Sequence, residues 1–569
     1  MKHLPVPPLR QSLDRYLAAV RPLSDAGQQR RAEEVVEEFA VTDGPVCQAE
    51  LLDFADEEDA AGRSWLSRAW LSSYLTDRSP LPLSSSVGFR LRWDSESAGL
   101  ARAADLIHRA ASVHLAYLRG EIADEVSPRG DWMDMRQWRV LAGGARHPQP
   151  GEDVFREGRR EAGAREIGVV WQGRCLMVPI SDEAGRPVSR PAITAVLGRI
   201  QELDLPEDDT FTHVSYLGSD RASDYLDALV EHPDNAQLYD RLVDALFVVN
   251  LTDTAASDEE HQERVSFHPG QAWAYKPLTY QVGLVDDFVG LHVEHSVVDG
   301  ATVRAIVAVM QGVQPTDGEE PPPRAEPLTW TMTDDLRSRL ARDIAAYQQQ
   351  AEAQRVHIVR CPRAVPADLP FRVSHDALQQ LSILYAQLAA YGRVRSTYEA
   401  VDMREYQAGR TECLRPVGAD ALALVRAVLG GDATPEHLRA ALAEHKDQVI
   451  ACKSGHGFDR HLTGLALMAG RLGLSPIVFE EESYDRVTTD FLSTSSLGDS
   501  QQMVRFTFAP TSGGGIGVNY TVTRDGYEFA VIVDVDRAEP IGPFLSALEA
   551  GVEALGQLVV DAFAGSQGR

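Results

Sequence analysis

FVGLHVEHSVVDGATV, residues 288–303, decides the reading of this chain. Val289, Leu291 and Val293 alternate as one face of a strand, and His295 continues that face at its end, so the imidazole is expected to point inward. After Gly300 the spacing changes. Val303, Ile306, Val307 and Met310 recur at helical intervals, which makes Asp299-Gly300 a sharp strand-to-helix turn. Such a histidine beside a carboxylate can stay neutral, hold one tautomer and take a proton from a bound hydroxyl, as a general base must. The same residues also fit a core histidine bonded to a carbonyl, and His-x-x-x-Asp-Gly alone does not separate the two.

The rest of the chain bounds the choice. At 569 residues, with 44% hydrophobic and 24% charged residues, it is too long for one ordinary core, and two to four structural units are expected. The net charge of -29 makes nucleic acid or an anionic membrane surface a poor partner. Cys47, Cys175, Cys361, Cys413 and Cys452 stand far apart, which indicates neither a zinc site nor a disulfide framework and fits a reducing compartment. The start, MKHLPVPPLRQSLDRYL, has no apolar core of a signal peptide, and no long apolar run suggests a membrane span. A cytoplasmic monomer is expected.

Residues 10–75 read as helical, with Trp65, Trp70 and Leu75 as buried anchors in WLSRAWLSSYL. Strand-like and helical stretches then alternate up to the Pro-rich break DGEEPPPRAEP, residues 317–327, the best linker in the chain. Beyond it, SHDALQQLSILYAQLAAYG is a helix capped by Ser374 and stopped at Gly392. QMVRFTFAP and NYTVTRDGYEFAVIVDV are strands, the second pair joined at Asp525-Gly526. TSGGGIG, residues 511–517, lacks the Gly-Lys-Ser/Thr ending of a phosphate loop and reads as a glycine-rich turn.

Several separated stretches occur in a fixed order: LPVPPLRQSLDRYLAAVRPL, WLSRAWLSSYL, EHSVVDG, STYEAVDMREYQAGRTECLRP, FDRHLTGLAL and FLSTSS. Together they resemble the carnitine/choline acyltransferase family, within the chloramphenicol acetyltransferase-like superfamily, over nearly the whole chain. The resemblance implies an α/β fold with two chloramphenicol acetyltransferase-like domains, each a mixed sheet flanked by helices, and an active-site tunnel between them. The domains implied are 1–92, a helical segment packing with the C-terminal domain; 93–330, bearing the histidine; and 331–569, binding the acceptor. The implied reaction moves a short acyl group between a CoA thioester, used as co-substrate with no bound cofactor or metal, and the hydroxyl of carnitine or a similar alcohol.

Carried over residue by residue, the resemblance makes His295 the base and has Asp299 orient it, directly or through Arg410. Ser495 stabilises the oxyanion. Tyr398, Thr411 and Arg460 match positions that hold an acceptor carboxylate, where choline-specific members carry valine and asparagine in place of Thr411 and Arg460. Ser493 lies beside the acceptor, and Phe508 faces its ammonium. Phe506 falls where a bulky side chain limits the acyl group, unless Arg505 is the true match. On the donor side, Asp376 and Glu399 are kept and Ser496 replaces a glutamine, but Val365 and Leu369 stand where the family has lysines. Arg360, Arg363 and Arg372 could replace those lysines, or the donor could be an acyl group on a carrier protein's phosphopantetheine arm.

Overall fold

The computed structural model of the chain describes residues 1–203, 210–362, 365 and 373–564. Among these, two large sheets organise the molecule. The eight-stranded sheet runs, in spatial order, Met503–Phe508, Val87–Leu91, Val289–Val293, Leu278–Gly283, Val248–Thr252, Glu166–Trp171, Arg174–Pro179 and Glu326–Leu328. The six-stranded sheet runs Gln354–Pro362, Gly526–Asp534, Ile516–Val522, Leu492–Ser495, Thr397–Asp402 and Thr411–Leu414. Both mix parallel and antiparallel pairs. Helices cover them, so the fold is mixed α/β.

The histidine's strand, Val289–Val293, is buried along its whole length, flanked antiparallel by Val87–Leu91 and Leu278–Gly283. A strand covered on both faces is rich in apolar residues throughout and has little room to slip in register. The helix Gly300–Gly312 follows, with Thr302, Val303, Ile306, Val307 and Met310 buried.

The two sheets exchange chain. Met503–Phe508, from the C-terminal half, adds as an edge strand to the eight-stranded sheet by pairing antiparallel with Val87–Leu91. The first helices go the other way: Leu13, Tyr16, Val35, Phe39, Leu51 and Trp65 share one core with Leu381, Leu424, Leu465 and Val559. Val87–Leu91, inside the expected 1–92 helical segment, is a strand of the histidine's sheet. The Pro-rich stretch ends in the short edge strand Glu326–Leu328, paired with Arg174–Pro179.

The C-terminal helix Gly542–Ala564 contains one stretch, 542–562, long and apolar enough to cross a membrane. Its Phe544, Leu548, Val552, Leu555 and Val559 are buried in the cores beneath the six-stranded sheet.

Candidate active site

His295 sits two residues past the end of its strand, in the turn that leads into the helix Gly300–Gly312. Its Nδ1 lies 2.6 Å from the Val298 carbonyl oxygen, to which it donates. That bond fixes the tautomer and leaves Nε2 with the lone pair. The two sequence readings of this histidine therefore describe one arrangement: the imidazole is bonded to a carbonyl, and it also lines a cavity of about 510 Å³. The Tyr74 ring meets it edge-on at 5.5 Å.

Asp299 does not bond the imidazole directly. Its Oδ1 is 3.7 Å from His295 Nδ1, while Arg410 donates from Nε to Oδ2 at 2.7 Å and from Nη2 to Oδ1 at 2.9 Å. This two-pronged pair is strong and directional. Arg410 also reaches the turn itself, donating to the Ser296 carbonyl at 2.6 Å and the His295 carbonyl at 3.0 Å. Burial alone would raise the Asp299 carboxyl; the nearby charges, Arg410 first, and the hydrogen bonds from Arg410 and Gln137 together outweigh it and hold the group below its ordinary value. Of the two routes left open by the sequence, the one through Arg410 carries the hydrogen bonds. Arg410 lies behind the turn and does not line the main cavity. It is placed by a tight turn in which a Cβ at Gly409 would fall 2.0 Å from the Met403 carbonyl oxygen, so only glycine fits there.

The cavity draws on both sheets. Val87, Phe89 and Val293 come from the eight-stranded sheet, and Tyr398, Thr411, Ser493 and Ser495 from the six-stranded one. Arg460, at the start of the helix Asp459–Leu472, stacks over the Trp70 ring at 4.6 Å and pairs with Asp459 at 3.0 Å. Its Nη2 lies 3.5 Å from the Tyr398 hydroxyl. The buried Thr411 hydroxyl lies at the cavity wall close to the Tyr398 hydroxyl.

Ser493 and Ser495 alternate along the strand Leu492–Ser495 and both line the cavity. Ser493 Oγ shares a short hydrogen bond with Thr511. Asn519, beside Ser495 on the neighbouring parallel strand, donates to the Ser495 carbonyl at 3.2 Å and accepts from the Phe506 amide at 3.0 Å. One side chain thus holds the candidate oxyanion serine and the candidate acyl wall in register.

Phe506 faces the cavity, 5.2 Å from the Phe89 ring and 6.2 Å from that of Phe508. Arg505, its rival in the sequence reading, does not reach solvent to leave the channel open. It is buried, with Nε and Nη2 paired to Glu528 at 2.6 and 3.0 Å.

Two donor-side residues lie elsewhere. Tyr398, Ala400 and Asp402 line the cavity, so Glu399 points to the opposite face of its strand. There its Oε2 accepts from Gln380 at 2.9 Å, and the Tyr520 hydroxyl lies 2.6 Å from Oε1 and 2.9 Å from Asp376. Burial and the Asp376 charge push the Glu399 carboxyl well above its usual range. Asp376, Glu399 and His445 bring ligand-type atoms within 4.8 Å of one another, the one such trio among the described residues. The Tyr520 hydroxyl sits between the two carboxyl groups.

Ser496 lines the cavity and accepts from the Gly498 amide at 3.0 Å. Arg360 is not a spare cation for a phosphate, since Asp258 and Glu528 pair with it. Val365 is buried. Arg363, Leu369 and Arg372 lie outside the described residues.

Sequence reasoning missed Gln137. Its Nε2 donates to Asp299 Oδ2 at 2.8 Å, while its Oε1 accepts from the Asp299 amide and the Thr302 hydroxyl, both at 2.8 Å. Nothing in RQWRVLA signals this, because a lone glutamine has no periodicity or motif. It also missed Tyr74, and it read Trp70 only as a core anchor.

The chain is similar to known proteins along nearly its whole length. The sequence model of the choline/carnitine O-acyltransferase family matches residues 4–549. Carnitine O-acetyltransferase of Mus musculus is 26% identical over 572 residues, covering 93% of this chain and 89% of the relative. Mitochondrial carnitine O-palmitoyltransferase 2 of Rattus norvegicus is 24% identical, covering 92% and 87%. Choline O-acetyltransferase of Danio rerio is 25% identical, covering 93% and 88%. With a match that runs through nearly the whole sequence and a histidine turn clamped beside a cavity between two mixed sheets, this chain is an acyltransferase and belongs to the choline/carnitine O-acyltransferase family.

Proposed function

We propose that the protein transfers a short acyl group between a CoA thioester and the hydroxyl of carnitine or a carnitine-like alcohol. The observation that carries the acceptor class is the convergence, on the histidine's cavity, of the Thr411 hydroxyl, the Arg460 guanidinium and the Tyr398 hydroxyl. A cation flanked by hydroxyl donors suits a carboxylate and offers nothing to choline. His295 Nε2 takes the proton of the acceptor hydroxyl as its oxygen attacks the thioester carbonyl. Negative charge builds on the carbonyl oxygen, and the Ser495 hydroxyl donates to it. The tetrahedral intermediate collapses with loss of the thiolate, which receives the proton from the imidazolium, so no acyl-enzyme forms.

Phe506, packed against Phe89, makes an aromatic wall that suits acetyl to butyryl groups. The test is a thiol-release assay over acetyl, butyryl, octanoyl and palmitoyl donors with carnitine and choline. Each donor is supplied once as CoA and once on a carrier protein's phosphopantetheine arm. Preference for short CoA thioesters with carnitine supports the reading. Efficient palmitoyl transfer, equal use of choline or exclusive use of the carrier-protein donor would overturn the corresponding part.

A further inference from the structure

Glu294, the residue immediately before the histidine, is fully buried and has no role in the mechanism above. Its two oxygens take both donors of Ser296: Oε2 accepts from the hydroxyl at 2.7 Å and Oε1 from the amide at 3.1 Å. From the other side of the turn, Arg410 bonds the Ser296 and His295 carbonyls. Every polar group of Ser296 is therefore held, and the imidazole beside it hangs from a turn gripped on both sides.

The grip extends further. Arg146, itself fully buried, brings Nη1 to 3.6 Å from Glu294 Oε1 and pairs through Nε with Asp153 at 2.6 Å. Asp153 is held in turn by Arg78 at 2.7 Å and by the Ser219 hydroxyl at 2.7 Å. Arg78 also donates to the carbonyl of Leu75, the last residue of the helix Ser67–Leu75 that presents Trp70 and Tyr74. A line of charges, fully buried up to the partly exposed Arg78, thus links the histidine's turn to the helix whose Tyr74 ring lies against the imidazole. Burying these charges is expensive, and hydrogen bonding Ser296 alone would need only an amide.

We propose that Glu294 is a positioning residue for the transfer reaction: through Ser296 it fixes the direction of His295 Nε2, and through Arg146, Asp153 and Arg78 it registers that atom against the aromatic helix. The inference rests on His295 being the base. A displacement of about 1 Å at a reacting group costs on the order of 100-fold in rate, while binding at the distant carboxylate and acyl ends is untouched.

The experiment measures kcat, KM for both substrates and thermal unfolding for Glu294→Gln, Glu294→Ala, Ser296→Ala, the Glu294→Ala/Ser296→Ala double variant and His295→Ala. Glu294→Gln keeps an acceptor for Ser296 and loses the charge. The expected result is a fall in kcat of roughly 10- to 100-fold for the Glu294 variants and roughly 3- to 10-fold for Ser296→Ala, with each KM within about threefold of wild type. The double variant should be no slower than Glu294→Ala, because both changes break the same link. Wild-type kcat in folded Glu294→Gln, or a rise in KM and a drop in unfolding temperature accompanying the loss of kcat in every variant, overturns the inference. His295→Ala separates the two failures: if it retains turnover, the base assignment itself is wrong, whatever the Glu294 variants do.

Discussion

Replacing Arg460 by asparagine and Thr411 by valine should turn a carboxylate-reading pocket into one indifferent to it. Arg460 is not a bare cation, since Asp459 takes Nη1 at 3.0 Å, so its bond to a substrate carboxylate belongs near the low end of a charged hydrogen bond, about 1.5–3 kcal/mol. The Thr411 hydroxyl adds a neutral bond of about 0.5–1.5 kcal/mol. Together the changes should remove about 2–4 kcal/mol, a fall of roughly 30- to 1000-fold in kcat/KM for carnitine. Choline has no carboxylate to lose and should change by less than about threefold. The scaffold should tolerate the pair, because Arg415 still holds Asp459 at 2.9 and 2.7 Å after Arg460 is gone. The assay is thiol release from acetyl-CoA with each alcohol, alongside thermal unfolding. Equal proportional losses for carnitine and choline in a folded variant would refute the reasoning, because they would place Arg460 and Thr411 in the chemistry or the scaffold and not in reading the carboxylate.

Opening the acyl wall with Phe506→Gly should admit octanoyl donors. The four methylenes between butyryl and octanoyl are worth about 3 kcal/mol, or roughly 200-fold in relative kcat/KM, and an unchanged chain-length profile would count against Phe506 as the wall. Ser495→Ala should lower kcat by about 100-fold with the acceptor KM little changed, whereas a change confined to KM would make Ser495 a binding residue. Glu412, whose Oε1 accepts from the Cys413 and Arg460 amides, is raised by burial to about 7 from an ordinary 4.5. Between those values the folded state holds a proton that the unfolded state has lost, so stability should fall as pH rises from about 4.5 to 7. The loss should be about 3 kcal/mol, and Glu412→Gln should abolish it in denaturant titrations at pH 5 and 8.

Much of the candidate site was legible because its residues stand in local patterns. The strand 289–293 and the helix after Asp299-Gly300 follow from periodicity alone, whereas Ser493 and Ser495 stood out only through the resemblance to the family. What periodicity could not give was the orientation of His295. The strand ends at Val293, and the turn, not the pleat, aims the ring, through a bond to Val298 that no spacing rule encodes. Contacts made across the chain were equally hidden. Gln137 reaches Asp299 over 162 residues, and the edge strand Met503–Phe508 crosses into the other half's sheet. Asp376 and Glu399 came from the family pattern, and the structure places Glu399 on the face of its strand away from the histidine's cavity.

The central claim is that His295 is the base for transfer to a carboxylated alcohol. It is tested most directly by carnitine-dependent thiol release from acetyl-CoA in wild type and in His295→Ala, with unfolding measured on both. The account predicts release by wild type that is at least about tenfold faster with carnitine than with choline. It predicts a loss of at least about 1000-fold in a His295→Ala protein that unfolds at the wild-type temperature. Turnover by that variant within about tenfold of wild type would contradict the account.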